Sequence, residues 1–468
     1  MNQASLRPNI VFVLIDDLGW ADLGCYGSTF YETPHLDRLA AAGARFTDAY
    51  AAAPVCSPTR ASIMSGKYPA RVGVTQWIGG HAVGRLRDVP YFRELPMEEY
   101  SLARALRDGG YQTWHVGKWH LGERRTWPDR HGFDVNVGGC GLGHPPSYVS
   151  PYGIPTLPDG PPGEYLTDRL TDEAIKLVEN AGEQPFFLNL WHYAVHTPIQ
   201  APEDLVGRYE QKAKTLGLDE IDAIKPGEPM PTWHQRHQHV QRRVVQSDPG
   251  YAAMVENLDA NIGRLLDALD RTGKADNTLV VFTSDNGGLA TSEGSPTCNA
   301  PLAEGKGWMY DGGLRVPLIV RWPGTVEPNN VLPDLVTSPD FYPTFLDAAG
   351  IPRPAQMHEL DGQSILAALT EGHAEDRPIF WHYPHYGNQG GTPGAAIREG
   401  DWKLVRFFED NHIELYNLVD DIAETHDLAD TKPGVAARLN AKLGHWLEDV
   451  QARIPAPNPV SAYADLPG

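Results

Sequence analysis

Six short stretches of this sequence carry side chains that could do chemistry together. Two are acidic. Asp16-Asp17 and Asp285-Asn286 offer four hard oxygen donors of the kind that hold one Ca2+ or Mg2+, whereas softer metals want thiolate or imidazole. Asp and Asn also cap turns after strands, so neither pair alone marks a metal. Cys56 stands in "APVCSPTRASIMSGK", before an apolar helix-like run, with Arg60 one turn further on. A helix N-terminus there would favour anionic oxygen or sulfur. From C-x-P-x-R by itself, a disulfide, a metal ligand, a core thiol and a chemically modified nucleophile all stay open. Lys118 and His120 in "GKWHLG", Lys306 in "EGKGWMYDGG" and His196 in "AVHTP" complete the set. Each alone reads as surface or core. Together they supply cations for a tetrahedral anionic group and an imidazole acid for a leaving oxygen.

The elements around these residues explain how they could meet. "NIVFVLIDD", "YQTWHVGKWH", "PFFLNLWHYAVH" and "NTLVVFTSDN" are apolar runs of strand length, each ending in polar residues. Helical patterns lie between them. Thr33 and Pro34 mark the start of "TPHLDRLAAAGARF", and Asp248 and Pro249 the start of a helix with Met254, Leu258, Ile262, Leu265 and Leu269 on one face. Nearly continuous apolar strands alternating with helices predict an α/β fold with a buried, mainly parallel central sheet flanked by helices. Ligands of such sheets sit beyond the carboxyl ends of the strands, which here carry Asp16-Asp17, Lys118-His120, His192-His196 and Asp285-Asn286. Residues 1–375 read as this large domain. Residues 376–468 read as a small α+β subdomain, with short alternating strands in "AAIREGDWKLVRF" and "HIELYNL" and a closing helix around 436–450. The polar segment 212–247, with "HQRHQH" inside it, reads as a solvated excursion rather than a metal site.

Composition narrows the classes. The 468 residues carry 39 basic and 60 acidic side chains, a net charge of -21, which excludes the basic footprint of a general nucleic-acid binder. Any anion site must therefore be a local cationic pocket. The four cysteines, Cys25, Cys56, Cys140 and Cys298, are too sparse for a disulfide scaffold. No run approaches the ~20 apolar residues of a membrane span, and the first residues lack the basic start of a secretory leader.

The ordered blocks carry a resemblance. "PVCSPTRASIMSG" and "GYQTWHVGKWHLG" resemble the two signatures of the type I sulfatases, members of the alkaline phosphatase-like superfamily. "PNIVFVLIDDLGW", "TPHLDRLAAAGARFTDAY", "FTSDNGG", "GKGWMYDGGLRVPLIV" and the C-terminal "GDWKLV…ELYNLVDDIAETHDLA" are similar to further family blocks in the family's order. Ser65 is a small departure from the signature. The resemblance implies that a maturase, reading Pro58 and Arg60, oxidises Cys56 to formylglycine, whose hydrate is the nucleophile. It implies one Ca2+ ion held by Asp16, Asp17, Asp285, Asn286 and modified residue 56. Arg60 would orient the hydrate, Lys118 and Lys306 would bind sulfate oxygens, His196 would protonate the leaving alcohol and His120 would take the proton in the step that expels sulfate. The closest likeness is to bacterial carbohydrate sulfatases, which implies a sulfated saccharide as substrate, with phosphonate monoester or phosphodiester hydrolysis as the alternative within the superfamily. "WHYPHYGNQGG" (381–391) reads as a loop over the pocket, with His382 and His385 as substrate contacts, and "WIGGHAVGR" (77–85) and 138–153 as further walls. Relatives of this kind act in the periplasm or outside the cell; a native start at Met1 would place the protein in the cytoplasm.

Overall fold

The four apolar runs become four neighbouring strands of one sheet. The computed structural model describes residues 7–357, 359–373 and 375–459. Residues 1–6, and residues 460–468 of the expected small subdomain, lie outside the described residues. Asn9–Ile15 pairs in parallel with Thr278–Ser284 on one side and Phe186–Trp191 on the other, and Phe186–Trp191 pairs in parallel with Gln112–Gly117. Val135–Val137 extends the parallel set beyond Gln112–Gly117. On the opposite flank Leu318–Arg321 runs antiparallel to Thr278–Ser284, followed by Ala44–Phe46 and Asn330–Leu332, giving eight strands in all. The sheet is mainly parallel, as the nearly continuous apolar runs predict.

Burial on both faces explains those runs. In Asn9–Ile15, Val11, Val13 and Ile15 enter one core while Ile10, Phe12 and Leu14 enter the other. A strand's side chains alternate between faces, so a strand covered on both sides is apolar at nearly every position. The first face is covered by Leu166–Asn180 and by Pro249–Arg271, whose five predicted core residues are all buried. Asp248 caps that helix, accepting from Tyr251 N–H at 2.9 Å. Thr33 takes the N-cap position of Pro34–Ala41 as expected, but its hydroxyl is drawn away by Gly24 N–H and Asp37. The second face is covered by Cys56–Ser65, Leu102–Asp108 and Phe341–Ala348, through Ala61, Ile63, Met64, Leu106 and Phe345 among others.

The small antiparallel sheet has the order Ile379–Tyr383, Gly394–Glu399, Trp402–Phe407, Ile413–Asn417. One face takes the helix Pro433–Asp449 through Ile397, Leu404, Leu439 and Leu443. The other packs Trp381, Ala396 and Val405 against Tyr50, Val55 and Met309 of the large sheet's loops. Lys403 crosses the same junction, fully buried between Asp311 and Glu424 at 2.7 Å each. The excursion at 212–247 is more ordered than its composition suggests, because Ile224–Pro229 and His239–Arg243 pair as a hairpin. Among the described residues no helix is long and apolar enough to cross a membrane.

Candidate active site

Four adjacent parallel strands end on the same side of the sheet, and the register puts their ends level. Ile15 is opposite Ser284, and Trp191 is opposite both Leu14 and Gly117. The next residues are therefore Asp16-Asp17, Asp285-Asn286, His192 and Lys118. Two of the chain segments then turn through left-handed backbone, at Asp17 (φ 62°) and His120 (φ 53°). Non-glycine residues are uncommon there, and such conformations concentrate where a side chain must be aimed.

Cys56 opens the helix Cys56–Ser65, buried against the strand ends. Each residue of the C-x-P-x-R segment has work in this arrangement. Ser57 Oγ donates to His120 O and accepts from Ile78 N–H, both at 3.0 Å. Pro58 sits in the first turn, where a missing N–H costs nothing. Thr59 exchanges hydrogen bonds with the Ala53 backbone at 3.2 Å. Arg60 is fully buried, donates to Asp285 Oδ2 through Nε at 2.8 Å and to Lys118 O through Nη1 at 2.9 Å, and lies over the Trp191 ring. Its hydrogen bonds go to Asp285 and to the Lys118 carbonyl, and none goes to residue 56.

Opposite charges alternate around the floor. Lys118 Nζ donates to Asp16 Oδ2 at 2.6 Å, Lys306 Nζ to Asp17 Oδ2 at 2.8 Å, and Asn286 Nδ2 to Asp17 Oδ1 at 2.8 Å. Burial pushes the Asp16 carboxyl well above the ordinary range, against the pull of Lys118. For Asp17 burial is outweighed by Lys306 and His196, which hold it below that range. Two acceptors of the cluster, Asp16 Oδ1 and Asn286 Oδ1, are buried with no hydrogen-bond partner. Ligand atoms of Asp16, Cys56 and Asp285 lie within 4.8 Å of one another. Unsatisfied buried oxygens beside clustered carboxylates fit a hard divalent cation.

The imidazoles have defined roles available. His120 Nε2 donates to Ile78 O (3.1 Å), which leaves Nδ1 as an acceptor 3.3 Å from Cys56 Sγ. His196 Nδ1 donates to Thr197 O (2.7 Å), which turns Nε2 to Lys306 Nζ at 3.0 Å. Burial and nearby lysines push both rings well below the ordinary histidine range. His192 at the same strand end is fully buried in the core instead.

A cleft of about 350 Å³ opens above this floor, reached by Cys56, His120, His196 and Lys306. Its walls come from Trp77 and Ile78, from Gly143 and His144, and from Asn388 and Gln389. These lie in the three segments read as walls, but the two histidines singled out there do not line it. His382 belongs to the strand Ile379–Tyr383, is buried against Phe408, and its Nε2 meets Arg453 O at 3.1 Å. His385 is buried between Asp88 and Thr75, at 2.8 and 2.9 Å. A strand sends alternate residues to opposite faces, and the loop only begins after Tyr383. That is why the expectation for these two is corrected in favour of Asn388 and Gln389. His382→Gln is expected to lower the melting temperature while keeping KM within about twofold; a KM raised tenfold would return His382 to the cleft. Sequence reasoning missed Glu293 on the rim, which lies in a stretch with no signal beyond its small polar neighbours.

The mainly parallel sheet with its separate small antiparallel sheet is the alkaline phosphatase-like fold, and its strand ends bring acids and cations together around a helix N-terminus. Residues 8–351 match the family described as Sulfatase, and residues 304–453 match the one described as N-sulphoglucosamine sulphohydrolase, C-terminal. The chain belongs to the sulfatase family and is an enzyme that hydrolyses sulfate esters. A "Sulfatase" of Formosa agariphila is 32% identical, over 95% of this chain and 89% of that protein. The human N-acetylgalactosamine-6-sulfatase is 32% identical over 80% of this chain and 68% of that protein. The crystal structure of Ps i-CgsB in complex with k-i-k-neocarrahexaose aligns with a TM-score of 0.76 and 30% identity, covering 95% of this chain and 94% of that one.

Proposed function

We propose that the protein removes sulfate from a sulfated saccharide, with formylglycine made from Cys56 as nucleophile and one Ca2+ ion as cofactor. The observation that carries this is the convergence of four level strand ends on a buried Cys56 at a helix N-terminus. The likeness to N-acetylgalactosamine-6-sulfatase and to a structure holding a neocarrahexaose supports the saccharide. So do the aromatic Trp77 and the amides of Asn388 and Gln389, an apolar and a hydrogen-bonding wall on one cleft.

The residues fit their parts. Asp16, Asp17, Asp285 and Asn286, with residue 56, would hold the ion, which supplies charge neutralisation for the sulfate oxygens. A hydrated aldehyde at residue 56 supplies an oxygen nucleophile where a buried thiol, its pKa raised by burial, would be unreactive. Arg60 holds Asp285 in place beside that oxygen, and Asp285 can accept its proton. Lys118 and Lys306, whose ammonium groups sit on Asp16 and Asp17, would bind the sulfate oxygens. His120 Nδ1 faces residue 56 as a base, its tautomer set by Ile78 O. His196 Nε2, beside Lys306 Nζ and Asp17, is placed to carry the proton that the departing sugar oxygen takes.

This reading is tested by co-expressing the protein with a maturase, verifying residue 56 by peptide mass, and assaying sulfate release from defined sulfated saccharides. Release supports it; silence on every sulfate ester with turnover of phosphonate or phosphate diesters would overturn it. The proton donor has its own test. His196→Gln is expected to slow release from a sugar sulfate by ~10²–10⁴-fold, and release from an aryl sulfate with an acidic phenol by about tenfold or less. Equal losses on both substrates would remove His196 from leaving-group protonation.

A further inference from the structure

The rim of the cleft carries a carboxylate, which is unexpected above a floor made for anions. Glu293 is exposed there, and apart from Lys306 it is the one permanently charged side chain among the described residues lining the cleft. Its placement is built rather than incidental. Ser292, Glu293, Gly294 and Ser295 are consecutive left-handed residues, with φ of 52°, 46°, 91° and 41°. Three of them carry side chains, and such a run persists only when its surroundings hold it. The hairpin of the 212–247 excursion does so: Ser292 N–H donates to Gln241 O at 2.7 Å, Ser295 Oγ to the same oxygen at 3.1 Å, and Arg243 Nε to Ser295 O at 2.5 Å.

From the other side Gln389 Nε2 donates to Glu293 Oε2 at 2.5 Å. Gln389 is itself buried, and Trp308 Nε1 donates to its carbonyl at 3.1 Å. Its side chain lies on Gly307, where a Cβ would come within 2.4 Å of Gln389 Oε1. Glu293 is thereby clamped next to the segment that carries Lys306, its second carboxylate oxygen left to meet what enters the cleft. A fixed carboxylate there accepts hydrogen bonds from hydroxyl or amino groups and repels a second anion.

We infer that Glu293 is a specificity-determining residue that selects sugars in which the scissile sulfate is the only anionic group near the rim, with hydroxyl or amino donors facing Glu293 and Gln389. This rests on the sulfated-saccharide reading and narrows it: neutral or amino sugars bearing one sulfate are taken, and the same sugars bearing a neighbouring second sulfate or carboxylate are disfavoured.

The test uses matched pairs, such as glucosamine 6-sulfate with glucosamine 2-N,6-O-disulfate, and galactose 6-sulfate with galactose 2,6-disulfate. The preference for the singly sulfated member is measured as a kcat/KM ratio on the matured enzyme. It is measured again as a Kd ratio by calorimetry on the Cys56→Ala protein, which binds without turning over. The preference is expected to be tenfold or more in the wild-type cleft and to shrink about tenfold in Glu293→Gln. Ratios unchanged by Glu293→Gln, a wild-type preference for the doubly charged member, or no binding of either member of any pair would each overturn the inference. If the Kd ratios shift as expected while no sulfate is released, the selection by Glu293 stands and the hydrolytic reading falls.

Discussion

Cys56→Ala is expected to lower sulfate release by ~10⁴-fold or more, because it removes the precursor of the nucleophile and leaves no other group in its place. The geometry is specific about this. His120 Nδ1 points to residue 56 at 3.3 Å, with its other nitrogen committed to Ile78 O. Ligand atoms of Asp16 and Asp285 lie close around the same side chain. The fold should survive. Cys56 is buried at a helix start, but its neighbours Ser57, Thr59 and Arg60 carry the hydrogen bonds that tie this helix to the strand ends. Losing one buried sulfur should cost about 1 kcal/mol. The check pairs sulfate release with thermal unfolding of both proteins, with conversion of residue 56 in the parent verified by mass. Activity near that of the parent would sink a nucleophile at residue 56, and a collapsed melting temperature would assign Cys56 to the core instead.

Stripping divalent ions from the matured enzyme is expected to cut turnover by ~10²-fold or more, with recovery on Ca2+ and weaker recovery on Mg2+. Three buried carboxylates, Asp16, Asp17 and Asp285, cluster with the Asn286 amide, and two of their oxygens, Asp16 Oδ1 and Asn286 Oδ1, receive no hydrogen bond. Such an all-protein oxygen set suits Ca2+, whereas Mg2+ demands near-octahedral geometry and sheds its water reluctantly. A readout independent of turnover is available, since any ion that binds only the folded chain raises its stability. At about 100 times Kd the gain is about 2.7 kcal/mol, a rise of a few degrees in melting temperature for a chain of this size. Asp17→Ala should abolish that rise. A melting temperature indifferent to Ca2+, together with activity that survives chelation, would remove the ion from the site.

What the sequence alone determined is the part governed by short-range rules. Strands buried on both faces are nearly continuously apolar, so "NIVFVLI", "TLVVFTS" and "FFLNLW" pointed to a parallel sheet, and the one mid-strand amide, Asn189, is satisfied by His115 Nδ1 at 2.9 Å. Polar residues cannot continue such runs, so Asp16, Lys118 and Asp285 marked the strand ends. The helix starting at Asp248 and Pro249 was legible from its cap and its apolar stripe. The C-x-P-x-R segment was visible for the same reason: its residues are contiguous.

Tertiary structure decided everything that depends on which distant segments meet. Register placed four strand ends level and so turned separate acids and cations into one floor. Arg60 was near Cys56 in sequence, yet the nearest carboxylate in space, Asp285, claimed its guanidinium. His382 and His385 had the right chemistry in the right segment. However, pairing of Ile379–Tyr383 with Gly394–Glu399 sent His382 to a buried face, and Asp88 captured His385. Glu293 carries no local signal at all, because its position is set by the hairpin at Gln241 on one side and by Gln389 on the other. Periodicity records whether a side chain is buried. It does not record what it is buried against, and for the walls of this cleft that second fact is the one that matters.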